Sequence, residues 1–211
     1  MRISATAAPA VSVKTEGEAS DALRARLVGG LLSAIAETGY AAVTIADVVR
    51  HARVSKRTFY EHFKDKDACF VEAYEAVSAR TLRGIKSAVD ATRPLDEQVS
   101  SALGAYAAAL EINPRLTRTF MLEIHAAGPL ALKARGEVHQ RFAQMFCDLV
   151  AAGRARQPKL KPLSKVMATA LVGGINEMML VAIEEDRPAK VREAIEAAAD
   201  LVRAVLVAPG K

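Results

Sequence analysis

Apolar residues recur at steps of three and four along most of the chain, the spacing that places them on one face of an α-helix. Within residues 44–63 this spacing occurs twice, with a short interruption between the two occurrences. The first stripe consists of Ile45, Val48, Val49 and Ala52. The second joins Phe59 to Phe63, which share a face at i, i+4 spacing. The pattern predicts a short helix, a tight turn and a second short helix.

Polar residues mark where each of these two helices begins. Thr44 is a suitable N-cap for the first helix, and Asp47 in its first turn complements the positive end of the helix dipole. Ser55 precedes the second helix, and its hydroxyl can accept a hydrogen bond from a free backbone N–H. Val54 and Phe59 flank that cap as a hydrophobic staple, which fixes the angle at which the chain enters the helix.

The second helix is predicted to have one apolar face and one basic face. Because Phe59 and Phe63 share a face, the other long side chains lie away from it. These side chains are Lys56, Arg57, Tyr60 and Lys64. In a helix-turn-helix the first turn of the second helix enters the major groove, and here it holds Lys56, Arg57 and Thr58. Arg and Thr can contact base edges, whereas Lys and Tyr commonly hold phosphates. The alternative is an ordinary helical hairpin with a solvated charged face.

Similar spacing through the rest of the chain predicts about nine helices and an all-α fold. Besides the short pair, helices are expected at about residues 21–38, 65–91, 95–112, 114–127, 129–155, 164–185 and 189–207. Gly39 is expected to end the first helix, and Arg93-Pro94 separates an N-terminal group from a second all-helical block. Residues 1–20 are expected to form a disordered arm.

The last two predicted helices carry apolar surface that favours a partner. The final helix has apolar residues at alternating steps of three and four, namely Val191, Ile195, Ala198, Val202 and Val205. The helix before it is apolar nearly all round, and Gly173-Gly174 permits close backbone approach. Pairing with symmetry mates would form a four-helix interface, which predicts a homodimer through these two helices. The alternative is that both helices complete the core of a monomer.

Composition and charge agree with a helical protein that binds a polyanion. The chain has 211 residues, which is long enough for a small DNA-binding module and a larger second domain. Hydrophobic residues make up 51% of it, so a substantial core can form. The formal net charge of +5 favours acidic partners such as nucleic acid.

The sequence predicts a cytoplasmic protein with no membrane partner. The N-terminus lacks the apolar run of a secretory signal, and the most apolar stretch, residues 166–183, is interrupted by Asn176 and Glu177. The two cysteines, Cys69 and Cys147, are far apart and are expected to be free thiols in a reducing compartment.

Enzyme motifs are missing from the sequence. It has no phosphate-binding loop, no dinucleotide-binding glycine pattern, no zinc-protease motif and no nucleophile elbow. His125 and His139, each preceded two positions earlier by a glutamate, leave a metal-dependent enzyme as an alternative, without a known ligand spacing behind it. The prediction is therefore a protein that is not an enzyme and holds no metal or cofactor.

The segment VSKRTFYEHFKDKDA resembles the DNA-binding signature of the tetracycline-repressor (TetR) family of bacterial regulators. The resemblance covers about residues 21–75. It is carried by Thr44, Val54, Ser55, Thr58, Tyr60, His62, Phe63 and Lys66. It implies a helix-turn-helix DNA-binding domain over residues 21–66 and a helical ligand-binding and dimerisation domain over residues 67–211.

The resemblance also implies where DNA lies on this chain. The residues expected at the DNA are Thr44, Ser55, Lys56, Arg57, Thr58, Tyr60, His62 and Lys66. Among them, the first turn of the second helix reads bases, while Thr44, Tyr60 and Lys66 contact phosphates. Two such modules in a dimer, about one DNA turn apart, would bind a near-palindromic operator in double-stranded DNA.

One residue departs from the family pattern. The family usually has Ala-Gly in the turn between the two helices, whereas this chain has Ala52-Arg53. Glycine adopts positive φ readily, but arginine there would be mildly strained or would force a different turn.

A ligand cavity among the middle helices is a further implication of the resemblance. Its candidate residues are Tyr106, Phe120, Ile124, His125, Phe142, Met145, Phe146, Asn176, Glu177 and Met178. Of these, His125, Asn176 and Glu177 could anchor polar groups of a ligand. The implied function is a transcriptional repressor that a small, largely apolar effector releases from its operator. The alternative is a DNA-binding regulator with a closed core and no small-molecule ligand.

Overall fold

The computed structural model describes residues 16–185 and 188–207, and in that part of the chain helices account for all the regular structure. The helices are α1 (Glu16–Thr38), α2 (Ile45–Ala52), α3 (Lys56–His62), α4 (Lys66–Ala88), α5 (Leu95–Glu111), α6 (Pro114–Arg118), α7 (Gly128–Arg154), α8 (Lys165–Glu184) and α9 (Pro188–Leu206). The predicted all-α fold is confirmed, and Gly39 ends α1 with a φ of 81° as expected.

The start of α1 differs from the prediction. The helix begins at Glu16, so residues 16–20 belong to α1 rather than to the predicted arm. Residues 1–15 of that arm lie outside the described residues. Acidic residues such as Glu18 near the start of a helix are favoured by its dipole, which accounts for the earlier start.

The helix predicted over residues 114–127 is divided into three parts. After α6 the chain forms a π-helical turn, Thr119–Glu123, and then a 3₁₀ turn, Ile124–Ala127. Gly128, with a φ of 81°, redirects the chain into α7, and Pro129 lacks the N–H that an uninterrupted helix would need. Because a π-helical turn contains an additional residue, Phe120 and Met121 are turned inward and buried.

The first core joins α1, α2, α3 and α4 to the beginning of α7. Leu27, Leu31 and Ile35 of α1 have no exposed surface and pack in the same cluster as Phe59 and Phe70. The amphipathic stripes read from the sequence are therefore the buried faces of these helices. The short helices α2 and α3 are held on α1 and α4, with their other faces exposed to solvent.

The second core joins α5, α8 and α9 to the end of α7. It contains Val99, Leu171, Ile175, Ala198 and Val202, each with less than a tenth of its surface exposed. The seam predicted along α9 is thus largely used inside the same chain, against α5 and α8. This corrects the idea that the whole seam awaits a partner.

Helix α8 is the one described helix that is long and apolar enough to cross a membrane, with a mean hydropathy of 1.8. A core helix of a water-soluble protein has the same length and composition. Leu171, Ile175 and Met179 of α8 are buried inside the protein, which accounts for part of this apolar character, while Val166 and Val181 of the same helix are exposed.

Candidate nucleic-acid interface and cavity

The capping of α2 agrees with the sequence prediction. The Asp47 backbone N–H donates to the Thr44 Oγ1 at 3.3 Å, and the Thr44 backbone N–H donates to the Asp47 carboxylate at 3.0 Å. These two hydrogen bonds form a capping box. Hydrogen bonds from the Thr44 side chain and backbone also lower the pKa of Asp47. Because Thr44 is exposed, its hydroxyl lies at the surface beside the start of α2.

The start of α3 is also as predicted. The Thr58 backbone N–H donates to the Ser55 Oγ at 3.0 Å, and the hydroxyls of the same two residues are 2.9 Å apart. Val54 packs against the first core and Phe59 is fully buried, so the staple residues fix the orientation of α3.

The exposed face of α3 is basic. Lys56 and Arg57 are exposed, as is Lys64 just beyond the end of the helix at His62, and 59% of the Tyr60 surface is accessible. On the opposite face Phe59 is buried, so the helix cannot roll to hide these groups without losing core contacts. We call the exposed side chains of Lys56, Arg57, Tyr60 and Lys64 the basic face.

Arg57 is paired within its own helix. Its Nε donates to the Glu61 carboxylate at 3.0 Å, while 88% of the Arg57 side chain remains exposed. A surface ion pair of this kind contributes only about 0.3–0.5 kcal/mol. A stronger acceptor such as guanine can therefore replace Glu61 as the partner of the guanidinium.

Lys66 has intramolecular partners that the sequence did not predict. Its ammonium donates to the backbone carbonyls of Tyr40 and Val43, each at 3.0 Å, and lies 4.2 Å from the centre of the Tyr40 ring. The Tyr40 hydroxyl in turn donates to Asp67. Lys66 thus fastens the loop between α1 and α2 to the start of α4. An ammonium has three N–H donors, so one is left for another acceptor.

Two other arginines, in the first half of α1, are used inside the protein. The sequence alone left open whether Arg24 and Arg26 reach the DNA backbone or lie on a solvated helix end. Arg24 pairs with Glu72 and donates to the His62 backbone carbonyl at 3.2 Å. Arg26 donates to the Ala52 carbonyl at 2.7 Å, at the end of α2. The His62 ring is half-buried next to the basic face.

The turn between α2 and α3 is left-handed at Arg53. Its φ of 52° and ψ of 51° lie in the region that glycine favours, and among the described residues it is the one non-glycine with positive φ. The sequence predicted either a strained arginine or a different turn, and the structure therefore has the strained arginine. Arg26 also donates to the Arg53 carbonyl at 3.0 Å, which ties this turn to α1.

Replacing Arg53 by glycine is expected to raise the free energy of unfolding by about 1 kcal/mol, because it removes the left-handed strain and leaves the carbonyl contact with Arg26 in place. Arg53→Ala is the matched control, since alanine removes the same exposed side chain and keeps the strain. Urea unfolding of both variants would check this. An equal gain in the two variants would contradict the backbone explanation.

A cavity of about 180 Å³ lies between α4, α5, α6, α7, α8 and α9. An engineered cavity of about 150 Å³ already admits benzene, so this volume is sufficient for a small organic molecule. Phe120 and Met121, from the π-helical turn, form part of its wall. The cavity is therefore built where the predicted helix 114–127 is irregular.

Six of the ten residues predicted for a ligand site line this cavity. They are Tyr106, Phe120, Phe142, Met145, Phe146 and Asn176. The other four lie elsewhere. Ile124 is fully buried in the first core, His125 and Glu177 are exposed, and Met178 packs against the second core. The π-helical and 3₁₀ turns account for the first two, since they break the helical register assumed for residues 114–127.

Several polar residues of the cavity wall were missed in the sequence. These are Tyr74, Ser78, Thr81, Gln98, Thr117, Arg135 and His139. Two of them could have been found from the sequence. Arg135 and His139 are four residues apart on the predicted helix and share its face with Phe142, which was itself a predicted ligand-site residue. Burial lowers the pKa of His139, and the neighbouring Arg135 lowers it further.

The histidines considered for a metal site are separated. His139 lies in the cavity wall, whereas His125 is exposed on the 3₁₀ turn. Within residues 16–185 and 188–207 there is no group of three side chains that could hold a metal ion.

Comparison with protein families and known structures identifies the fold. Residues 31–73 match the model of the bacterial regulatory proteins of the tetR family. A sequence comparison with curated proteins finds no significant match.

Solved structures of similar shape cover almost the whole chain. A TetR-family transcriptional regulator from Pectobacterium atrosepticum superposes with a TM-score of 0.75 at 21% identity, over 93% of this chain and all of its own. The fatty acid degradation regulator FadR from Bacillus halodurans gives a TM-score of 0.70 at 15% identity, over 85% of this chain and 94% of its own.

A third structure contains a ligand. The transcriptional regulator FadR from Bacillus subtilis, in complex with stearoyl-CoA, gives a TM-score of 0.69 at 14% identity and covers 86% of this chain and 98% of its own. At these identities the likeness concerns the fold, while the match over residues 31–73 concerns the sequence of the DNA-binding domain. The helix-turn-helix segment therefore matches the DNA-binding domain of the TetR family in sequence, and the chain as a whole shares the fold of solved TetR-family regulators.

Proposed function

We propose that this protein is a cytoplasmic repressor that binds a near-palindromic DNA operator as a homodimer and is released by a small, largely apolar effector. The observation that carries the DNA part is the basic face of α3, held in a fixed orientation by buried Phe59. Lys56, Arg57 and Thr58 are assigned to base edges because they occupy the first turn of α3.

Phosphate contacts are assigned around this face. The exposed hydroxyls of Thr44 and Tyr60 and the remaining N–H of Lys66 are suitable donors to phosphate oxygens. Ser55 and His62 lie at the two ends of α3, where they border the same surface. In this assignment Lys66 has a double role, since it also holds the loop before α2.

The proposed dimer uses α8 and α9, with α8 supplying most of the free apolar surface. Val166 is 82% exposed, and Val181 is 47% exposed. Gly173 is exposed between them, and a Cβ there would meet no atom within 4 Å, so another helix can approach closely. An exposed apolar face of this kind favours being covered, so it supports pairing with the same face of a symmetry mate.

The cavity supports the effector part of the proposal. Helix α4 begins at Lys66, beside the DNA-binding loop, and lines the cavity with Tyr74, Val77 and Ser78. A ligand that favours one position of α4 can therefore bias the DNA-binding helices through a single rigid element. The B. subtilis FadR, which has a similar fold, is known in complex with stearoyl-CoA. This favours a ligand-responsive regulator over one with a closed core.

Selection of bound fragments from random double-stranded DNA tests the function most directly. The expected result is a near-palindrome whose two half-sites are related by twofold symmetry. Recovery of no enriched site, or of a single asymmetric half-site, would contradict the proposed homodimeric operator binding.

Arg57→Ala is expected to relax one base position in each half-site and to lower affinity for the selected operator by about 1–3 kcal/mol per lost base contact, because a bidentate guanidinium is lost. The matched control is Arg80→Ala, which removes an exposed arginine about 20 Å along α4 from Lys66. Fluorescence anisotropy with operator variants would measure both. If Arg57→Ala weakened binding to all operator variants equally, the assignment of Arg57 to a base contact would be wrong.

A further inference from the structure

The charge inside the cavity is of one sign. Arg135 lines the cavity, and no aspartate or glutamate does. His139, one turn further along α7, is uncharged at neutral pH because burial and Arg135 both lower its pKa from the ordinary value. The cavity wall therefore presents a single positive charge with no compensating carboxylate.

Arg135 has no partner in the described part of the chain. It makes no ion pair or hydrogen bond there, although it is only partly exposed. Arg141, six positions later on the same helix, is paired with Glu75 at 3.0 Å. No buried side-chain nitrogen in the described residues lacks a partner, so the Arg135 guanidinium is in contact with solvent and its N–H groups are available to another acceptor. Arg135 is thus a donor that an incoming anion could satisfy.

Other hydrogen-bonding groups line the same cavity as Arg135. Burial raises the pKa of the Tyr74 phenol, and Arg135, a hydrogen bond with Ser78 and Arg141 oppose that rise. Burial also raises the pKa of Tyr106, with a smaller contribution from Tyr74. The Tyr106 hydroxyl makes no hydrogen bond within the described residues. His139 and Tyr106 can therefore add neutral donors beside the cation.

Most of the remaining wall is apolar, beside the uncharged polar side chains of Ser78, Thr81, Gln98, Thr117 and Asn176. The apolar part includes Val99 and Leu103 of α5, Phe146 of α7, and Ile175 of α8. Such a wall favours a hydrocarbon body, and it holds no carboxylate that would attract a cation.

We propose that the cavity binds an amphipathic organic anion, with one negatively charged group on Arg135 and His139 and an apolar body along α5 and α8. This deepens the proposed function, because it names the chemical class of the effector and rests on ligand binding at that site. The recognition element is the unpaired guanidinium, which forms stronger hydrogen bonds with an anion than with a neutral group.

The test compares three decyl compounds that differ in their head groups. Decanoate, decan-1-ol and decylammonium are titrated calorimetrically into the full chain at neutral pH, without DNA. Decanoate is expected to bind at least about tenfold more tightly than decan-1-ol, and decylammonium most weakly. Equal binding of decanoate and decan-1-ol, tighter binding of decylammonium, or no binding of any of them would overturn the proposal.

Substitutions of Arg135 test whether the anionic group of the ligand binds at this residue. Arg135→Met should reduce decanoate affinity by about tenfold and leave decan-1-ol nearly unchanged, because it removes the charge and keeps an apolar stem of similar length. Arg135→Lys should recover part of the loss. Arg141→Met, outside the cavity wall, is the matched control. An equal loss for acid and alcohol in Arg135→Met, with no recovery in Arg135→Lys, would overturn the assignment to Arg135.

Operator binding is measured on separate samples, so the two proposals can fail independently. Decanoate that binds but does not release DNA would support the anion site and contradict the ligand response. Decan-1-ol that releases DNA as well as decanoate does would overturn the anion site and leave the ligand response standing.

Discussion

Replacing Gly30 by alanine is expected to lower the free energy of unfolding by about 3 kcal/mol, the upper part of the usual range for overpacking. A Cβ at this position would lie 2.6 Å from the Val48 carbonyl oxygen and 2.9 Å from the Ala52 backbone nitrogen. Both atoms belong to the backbone of α2, so neither can rotate away as a side chain could. Helix α2 would have to move off α1.

Gly29→Ala is the matched control for this prediction. Gly29 is the adjacent residue on α1, but it is exposed and a Cβ there would meet no atom within 4 Å. Alanine is favoured over glycine inside a helix, so Gly29→Ala should stabilise the protein by up to about 1 kcal/mol. Urea unfolding followed by circular dichroism measures both variants. Equal stability of the two would show that α1 and α2 are not in close contact.

Raising the salt concentration from about 50 to 200 mM is expected to weaken operator binding by about a thousandfold, if the dimer neutralises about six phosphates. The cations available on each protomer are Lys56, Arg57, Lys64 and Lys66, all on or beside the basic face. A slope near zero in a plot of log affinity against log salt would contradict phosphate binding by this surface.

A lysine substitution tests whether the salt dependence of operator binding arises from the basic face. Lys64→Gln should reduce the magnitude of the slope by about 2 for a dimer, because each lost contact contributes about 1. Lys86→Gln, in the last turn of α4, removes an equally exposed lysine far from α3 and should leave the slope unchanged. Equal effects of the two variants would mean that binding depends on net charge rather than on this face.

The DNA-binding helices could be predicted because their determinants are local in sequence. Thr44 and Ser55 cap helices that begin at the next residue, and Phe59 and Phe63 are spaced to share one face. At Arg53 the sequence left two outcomes open, a strained left-handed residue or a different turn, and the structure has the first. These contacts span only a few residues, so periodicity and capping preferences are sufficient to identify them.

The internal contacts of Lys66 and the cavity depend on residues distant in sequence. The partners of Lys66 are 26 and 23 positions away, at Tyr40 and Val43, and no spacing rule joins them. The cavity combines residues from six helices and the π-helical turn, so its polar residues could not be separated from a solvated face by sequence alone. Arg135 illustrates this, because an arginine at that helical spacing is more often simply exposed.

The separation of exposed and buried residues on α3 determines which substitutions this helix can accept. Lys56 and Arg57 lie outside the first core, whereas Phe59 and Phe63 account for the packing of the helix. Substitutions on the outer side can therefore alter the preferred operator with little loss of fold stability. Under the base contacts proposed for this helix, single substitutions at these positions would change the operator sequence without requiring the helix to repack.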